Sequence, residues 1–298
     1  MYSKWIGDGG GEMNKEIPLI KEYRIQKLIE SLKCIDKFAY YREKQRDCIL
    51  KLYLNSSNKS IEHREKSIFR GMVIPSLRYL GLIIGFGDSI KPSANGKLII
   101  ESQFDNELHG RCLRAITYEI DKKIFEFLSI ITKNKFSKKN FIAFLSEQVV
   151  GISNKQKKER IKKWLSILYQ VKLIEFSQND IIEVNEKNYK QVISDTNPEL
   201  KDFTKFCEYS VSEYYNLGKN SAGIVDIRDL RENVGIRFLK ERRAILTESQ
   251  FDYLFSRFIF TTQNFHVSLG EPMGADQKLF EYKGKFYKTV IMRKKRGN

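Results

Sequence analysis

Residues that bind metals or carry redox chemistry are scarce in this chain. Its four cysteines, Cys34, Cys48, Cys112 and Cys207, show no C-x-x-C spacing, which argues against a zinc ribbon or a disulfide framework. Reduced, mostly buried thiols are the expectation. The three histidines, His63, His109 and His266, include no pair four residues apart, so a His-based metal site has little to build on. No apolar run approaches the roughly 18 residues of a membrane-spanning helix. The first residues, MYSKWIGDGGGEMNK, lack the apolar core of a signal peptide, so a cytoplasmic location without membrane attachment is expected. There is no G-x-x-x-x-G-K phosphate loop, and no histidine sits in a context that ties it to a Ser or Cys nucleophile.

Acid is also short relative to base. Lys and Arg number 53 against 37 Asp and Glu, a net charge of +16 over 298 residues with a pI near 9.5. Solubility does not require that surplus, and it points to a polyanionic partner. A hydrophobic content of 41% and a mean hydropathy of −0.44 fit a globular chain with real cores, long enough for two or three domains.

The patterning is mainly α with small β-hairpins, an α+β class. Residues 1–15 read as a flexible arm around Gly9-Gly10-Gly11, whose large side chains are Tyr2, Trp5 and Ile6. Residues 16–106 begin with a helix carrying Ile20, Tyr23, Leu28, Ile29 and Leu32, then a helix from Arg42 to Leu54. The stretch 67–102 reads as a helix ending at Leu80-Gly81, a hairpin of Leu82–Gly85 and Ser89–Lys91, and an exit through Gly96-Lys97. Pro75 must kink that helix or restart it, because it cannot donate to the carbonyl of Gly71.

Helix, turn and hairpin recur in residues 107–193. One helix runs from Ile120 with Ile124, Phe127, Leu128 and Ile131 on one face, and a second starts at Ser137 with Phe141, Phe144 and Leu145 inside. A third is capped by Ser153 and buries Ile161, Trp164, Leu165 and Leu168, followed by a hairpin of Lys172–Phe176 and Ile181–Val184. Residues 194–298 open at the polar Ser194–Pro198 boundary. A helix from Leu200 to Gly218 follows, then a Thr247/Gln250 capping box before Phe251, Leu254, Phe255 and Phe258. Strand-like runs close the unit at Phe265–Leu269, Lys278–Tyr282 and Phe286–Met292, the last two joined by Lys283-Gly284. The expectation is three tandem winged-helix domains that share an element order without a sequence repeat.

Charge separates by face. On the Ser153-capped helix, Lys155, Lys158 and Lys162 lie away from the apolar stripe, joined by Lys157 and Lys163, with Glu159 as the single nearby acid. Such a face suits phosphate contact. On the earlier helix Lys66, Arg70 and Arg78 are expected to point outward, and Arg70 and Arg78 are the candidate base readers because a guanidinium matches the guanine edge. Lys4 and Trp5 on the arm are placed to add charge and stacking. The third unit's capped helix would expose Gln250, Asp252, Tyr253, Ser256 and Arg257, a set better matched to protein than to phosphate. The terminal Arg293–Arg296 run reads as a frayed basic end, with nucleic-acid contact the alternative.

EIPLIKEYRIQKLIE (16–30), then SLRYLGLI leading to IKPSANGKLIIES (76–102), resemble the opening of the DNA-recognition region of FokI-like type IIS restriction endonucleases. The resemblance continues through KKWLSILYQVKLIEF (162–176) and, more faintly, FLKERRAIL (238–246) and FEYKGKFYK (280–288). It implies three winged helices, the first two and the arm on an asymmetric duplex site and the third holding protein contacts. It also implies a metal-dependent nuclease domain, which does not follow in this sequence. The expected function is therefore sequence-specific binding of double-stranded DNA, as a recognition module or subunit without its nuclease. The chain itself would need no cofactor, since Mg²⁺ belongs to a nuclease partner or domain docked through the third unit. The rival readings are a plasmid replication initiator and a complete Mg²⁺-dependent endonuclease. For the last, the nearest acids are Asp180, Glu183 and Glu186 with Lys187, and Glu186-Lys187 lacks the intervening residue of a Glu-x-Lys motif.

Overall fold

A computed structural model describes residues 17, 20–53, 60–149, 152–219, 221–272 and 278–295. The chain is mainly helical with small antiparallel sheets. Among the described residues no helix is long and apolar enough to cross a membrane.

The first segment opens with α1 (Ile25–Lys37) and α2 (Arg42–Lys51), which pack antiparallel through Leu28, Leu32, Ile35 and Ile49. Ile20 and Tyr23, expected on α1, precede it outside the helix. The short turn sets Cys34 and Cys48 face to face with Cα atoms 5.7 Å apart, and they form a disulfide. This corrects the expectation of four reduced thiols. Two cysteines 14 residues apart meet only because the helices reverse direction, a relation invisible to C-x-x-C spacing. Cys112 and Cys207 are free.

A continuous helical segment follows: α3 (Ile61–Arg64), a π-helical stretch Glu65–Val73, and α4 (Ile74–Tyr79). Pro75 explains the wide turns. In an unbroken α-helix its ring would press on the carbonyl of Gly71 and leave it unbonded. Here the Ile74 N–H bonds the carbonyl of Phe69, five residues back, and α4 restarts with Pro75 in its first turn. A Cβ on Gly71 would stand 2.8 Å from the Lys66 carbonyl oxygen, so the wide turn needs glycine there. Then β1 (Ile83–Ile84) pairs with β2 (Lys91–Pro92), and α5 (Ala94–Glu101) packs behind the hairpin. That helix replaces the expected exit at Gly96-Lys97. Ser93 caps it, and a Cβ on Gly96 would fall 2.2 Å from the Leu82 carbonyl oxygen, so the close approach of helix to strand requires a glycine.

The second segment begins with α6 (Asn106–Ile120), capped by Asp105. A single helix was expected from Ile120. Instead a π turn at Asp121–Phe125 and a left-handed Glu126 separate α6 from α7 (Phe127–Lys133). Next come β3 (Phe136–Ser137), α8 (Lys138–Gln148), α9 (Asn154–Gln170), and the strands β4 (Ile174–Phe176) and β5 (Ile181–Val184) in a sheet ordered β3-β5-β4. Phe141 and Leu145 are buried as expected, whereas Phe144 is 37% exposed. The helix α10 (Glu186–Thr196) returns to pack on α6, where Asp195 receives Arg111.

The third segment repeats the order with α11 (Phe203–Gly218), β6 (Val225–Asp226), α12 (Ile227–Arg242), α13 (Glu248–Thr261), β7 (Phe265–Gly270), a small hairpin of β8 (Phe280–Tyr282) and β9 (Lys285–Tyr287), and β10 (Thr289–Lys294). Leu200 lies ahead of α11 and is exposed. The strand β10 pairs with β7 along its whole length rather than with the 278–282 run, giving a sheet ordered β6-β10-β7. The basic run Arg293–Lys295 is thereby held in the sheet instead of fraying; Arg296 lies outside the described residues. Buried apolar side chains form two clusters. One runs through the first two segments, from Ile17 to Val192, and also takes Leu239 and Ile245; the other fills the third segment.

Candidate nucleic-acid interface

The helix α9 begins where Ser153 and Gln156 satisfy each other's backbone N–H groups in a capping box. Its inner face is fixed from below. The indole N–H of Trp164 donates to Asp121 at 2.7 Å, and the same carboxylate receives the N–H groups of Phe127 and Leu128 at the start of α7. Burial pushes Asp121 up to about 6, against the pull of those donors. Phe125 stacks on the indole with centroids 4.3 Å apart.

One flank of α9 is fastened to the first segment. Arg160 donates to the Ile17 carbonyl at 2.5 Å, and Gln170 accepts from the Ile25 N–H and donates to the Tyr23 carbonyl. The opposite flank carries Lys155, Lys158 and Lys162, all exposed, and none forms an ion pair among the described residues. Lys163 departs from the expectation. It pairs with Glu159 at 2.7 Å, its side chain is 17% exposed, and it leans toward the Tyr23 ring, so its charge is already met inside the protein. Exposed Lys133, Lys135 and Lys139 lie nearby in the sequence, on α7, just ahead of β3 and on α8. Residues 131–163 hold ten cations and two acids, a surplus of eight that is half of the chain's +16.

On the 61–79 helix Lys66 and Arg70 are exposed. Arg70 is anchored on Glu65 through two bonds of 2.7 and 2.9 Å, and Arg46 and Arg42 approach the same carboxylate at 3.5 and 3.9 Å. Arg78 does not project outward. The chain reverses at Gly81 and brings the hairpin back, so the guanidinium donates to the Gly85 carbonyl at 2.8 Å and lies 4.7 Å from the centroid of Phe86. Lys4 and Trp5 lie outside the described residues.

The capped helix of the third segment leaves Tyr253 and Arg257 exposed as expected, but its first turn meets the other two segments. At its N-terminus the Glu248 N–H donates to Asn95 Oδ1 at 2.9 Å, and the Asn95 N–H donates to Glu248 at 3.1 Å. Thr247 donates to Glu119, and Gln250 donates to the Asp195 carbonyl. Gln250, expected to be exposed, is therefore buried. Asp252 takes two bonds from Arg231, and Lys278 bridges Glu248 to the Gly81 carbonyl. Burial pushes Glu119 up, and Asp252 up to about 6 in spite of Arg231. For Glu248 burial acts in the same direction, but Lys278 and Arg231 outweigh it and hold the group below the usual carboxylate range. Sequence periodicity had no means of finding this junction, because its polar side chains are apolar-stripe neighbours only in the folded chain.

The hairpin of β4 and β5 is acidic. Glu175 and Glu183 stand directly opposite each other, Asp180 is exposed near the turn, and Glu186 reaches Lys190 on its own helix. Among the described residues no three His, Cys, Asp or Glu side chains come together to hold a metal ion. Comparison with known proteins returned no matching family model, no matching curated protein and no matching solved structure.

Proposed function

We propose that this chain binds double-stranded DNA in a sequence-specific manner, as the recognition module or subunit of a type IIS restriction-like system whose nuclease lies elsewhere. The observation that carries the reading is the ridge of Lys155, Lys158 and Lys162 on a helix locked at its other faces, in the part of the chain that holds half of the net charge. A fixed helix with mobile ammonium groups along one edge can neutralise successive phosphates without disturbing its own packing.

The architecture supports the same reading. The second and third segments each run helix, short strand, two helices and a closing antiparallel strand pair, with the small β8-β9 hairpin inserted in the third and the short strand pairing the last, an order compatible with a winged helix. The first reaches its hairpin after three helices and adds α5 behind it. In this reading α9 and the 61–79 helix meet the duplex. Lys66 adds a phosphate contact, and Arg70 exchanges Glu65 for a base edge. The acidic hairpin of β4 and β5 stays off the backbone, since Glu175 and Glu183 would repel it. The third segment serves as the protein-facing unit.

Selection of bound duplexes from a random pool, followed by titration at several salt concentrations, tests this. Arg70→Ala should flatten the preference at one or two base pairs, and Lys158→Ala should weaken all duplexes by a similar factor. Equal effects of the two substitutions, or affinity indifferent to salt, would overturn the proposal.

A further inference from the structure

The third segment carries an open sheet edge. Along one side β10 pairs with β7 from Thr289 to Lys294, but on the other side β6 covers Thr289 and Val290 alone. From Ile291 to Lys294 that edge has no strand partner among the described residues. The Lys295 N–H bonds the Asn264 carbonyl on the β7 side, so by the alternation of an antiparallel ladder Met292 and Lys294 turn their N–H and C=O groups to the open edge. Four residues offer about 14 Å of backbone.

A groove of about 450 Å³ runs beside this edge, walled by Tyr215, Ile224, Ile291 and Met292, with Lys219 and Arg293 at its rim. Tyr215 and Ile224 are 46% and 48% exposed, large apolar surfaces left partly open among the described residues. The far wall is braced where the Tyr214 hydroxyl donates to the Gly223 carbonyl at 2.6 Å. No acid lines the groove, and neither Lys219 nor Arg293 has a carboxylate partner among the described residues. Lys294 and Lys295 continue the positive rim.

We propose that this edge receives an extended, acidic segment of a partner protein by β-strand addition, with a branched apolar side chain seated between Tyr215 and Ile224. The main-chain groups of Met292 and Lys294 supply pairing, and the pocket and cations supply selectivity. The charge decides among occupants. A second copy of the same strand, laid antiparallel, would set Arg293 and Lys294 against each other, and like charges directly opposed destabilise a strand pair. The same cations that keep the edge from pairing with itself attract carboxylates on alternate positions of another strand.

The test uses the full chain and a fluorescent eight-residue peptide that alternates valine with glutamate, read by anisotropy. Saturable binding is expected, at least tenfold tighter than for a peptide alternating valine with lysine, together with slowed amide exchange at Met292 and Lys294. Arg293→Glu should weaken the acidic peptide at least tenfold while the thermal melt is unchanged. Lys294→Pro, which removes one outward N–H, should abolish binding. The proposal is overturned if the two peptides bind alike, if neither binds, or if Arg293→Glu leaves the acidic peptide's affinity intact. Loss of duplex affinity in Arg293→Glu would also overturn it, by assigning these cations to nucleic acid. Duplex binding by the unchanged chain is measured separately, so failure of one reading is distinguishable from failure of the other.

Discussion

Replacing Lys155, Lys158 and Lys162 together by glutamine isolates the contribution of the α9 ridge. The three side chains are exposed and form no ion pair among the described residues, and glutamine keeps nearly the same helix propensity, so the fold should change by no more than about 0.5 kcal/mol. From the first lysine to the last the helix rises about 10 Å, over which duplex DNA presents several phosphates. Each lysine that neutralises one phosphate contributes about 0.9 to the slope of log affinity against log salt, so the triple substitution should make that slope shallower by about 2.7. Because the counterion term vanishes near 1 M salt, the same change corresponds to a loss of roughly five-hundredfold in affinity at 0.1 M. Anisotropy titrations of a labelled duplex between 0.1 and 0.4 M NaCl resolve both quantities. The internal control is the double change Glu159→Gln with Lys163→Gln, which removes a pair already neutral in the folded chain and should leave the slope within about 0.5 of the original. A flat slope in the unchanged protein, a triple variant that matches it, or a control that loses as much as the triple would refute the reasoning.

Three further outcomes follow from the packing. Gly96→Ala should destabilise the chain by about 3 kcal/mol, since its Cβ would fall 2.2 Å from the Leu82 carbonyl oxygen, whereas Gly87→Ala, with open space but a φ of +54°, should cost about 1 kcal/mol; urea unfolding compares them. Reduction of Cys34–Cys48 should lower unfolding free energy by about 3 kcal/mol for a 14-residue loop, and a Cys34→Ser/Cys48→Ser variant should show no further response to reductant. Asp121, raised by burial to about 6 when folded against an ordinary 3.8, binds its proton more tightly in the native state. Its contribution to stability is therefore fullest below about pH 4 and falls as pH rises toward 6, by up to about 3 kcal/mol. In Asp121→Asn that decline should be absent, and an unchanged pH profile in denaturant melts would refute the assignment.

The parts of the fold legible in the sequence are those set by local chemistry. Ser153 with Gln156, Thr247 with Gln250, and Ser137 each announce a helix start through side-chain oxygens that satisfy the first free N–H groups, and all three cap helices in the structure. The stripe of Ile161, Trp164, Leu165 and Leu168 is buried, and its complement, the lysine ridge, faces out. What was not legible depends on distant partners. The helix α5 was hidden because Pro92, Ser93 and Gly96 look like turn residues, yet Gly96 is there for the Leu82 backbone. The hairpin expected at Lys283-Gly284 does form, but its ladder ends at Tyr287, and the passage of β10 to β7 was not visible. Arg78, Lys163 and Gln250 sit on the faces the period assigns them, and each is claimed by a neighbour that the period cannot name.

The choice of cation separates the surfaces that hold the protein together from the one proposed to meet a duplex. Between residues 227 and 261 the sequence has seven basic side chains, six of them arginine, against five acids. All six arginines pair with acids, five of them within the third segment, Arg228 with Asp226, Arg231 with Asp252, Arg237 with Glu213, Arg242 with Asp202 and Arg257 with Glu199, while Arg243 reaches Asp105 outside it. The lysine, Lys240, meets Glu101. A guanidinium fork suits such fixed partners because its donors are already planar and oriented. In residues 131–163 the proportion inverts, with nine lysines and one arginine, and that arginine, Arg160, is the cation turned inward onto the Ile17 carbonyl. An ammonium on a flexible stem gains less from a fixed acceptor and stays hydrated, which leaves it available to a polyanion whose charges recur at short intervals. The second and third segments share an element order, yet the third spends its cations on internal junctions while α9 keeps Lys155, Lys158 and Lys162 clear of ion pairs among the described residues, so the proposed binding face rests on which cation the sequence places on a helix, and not on the helix order alone.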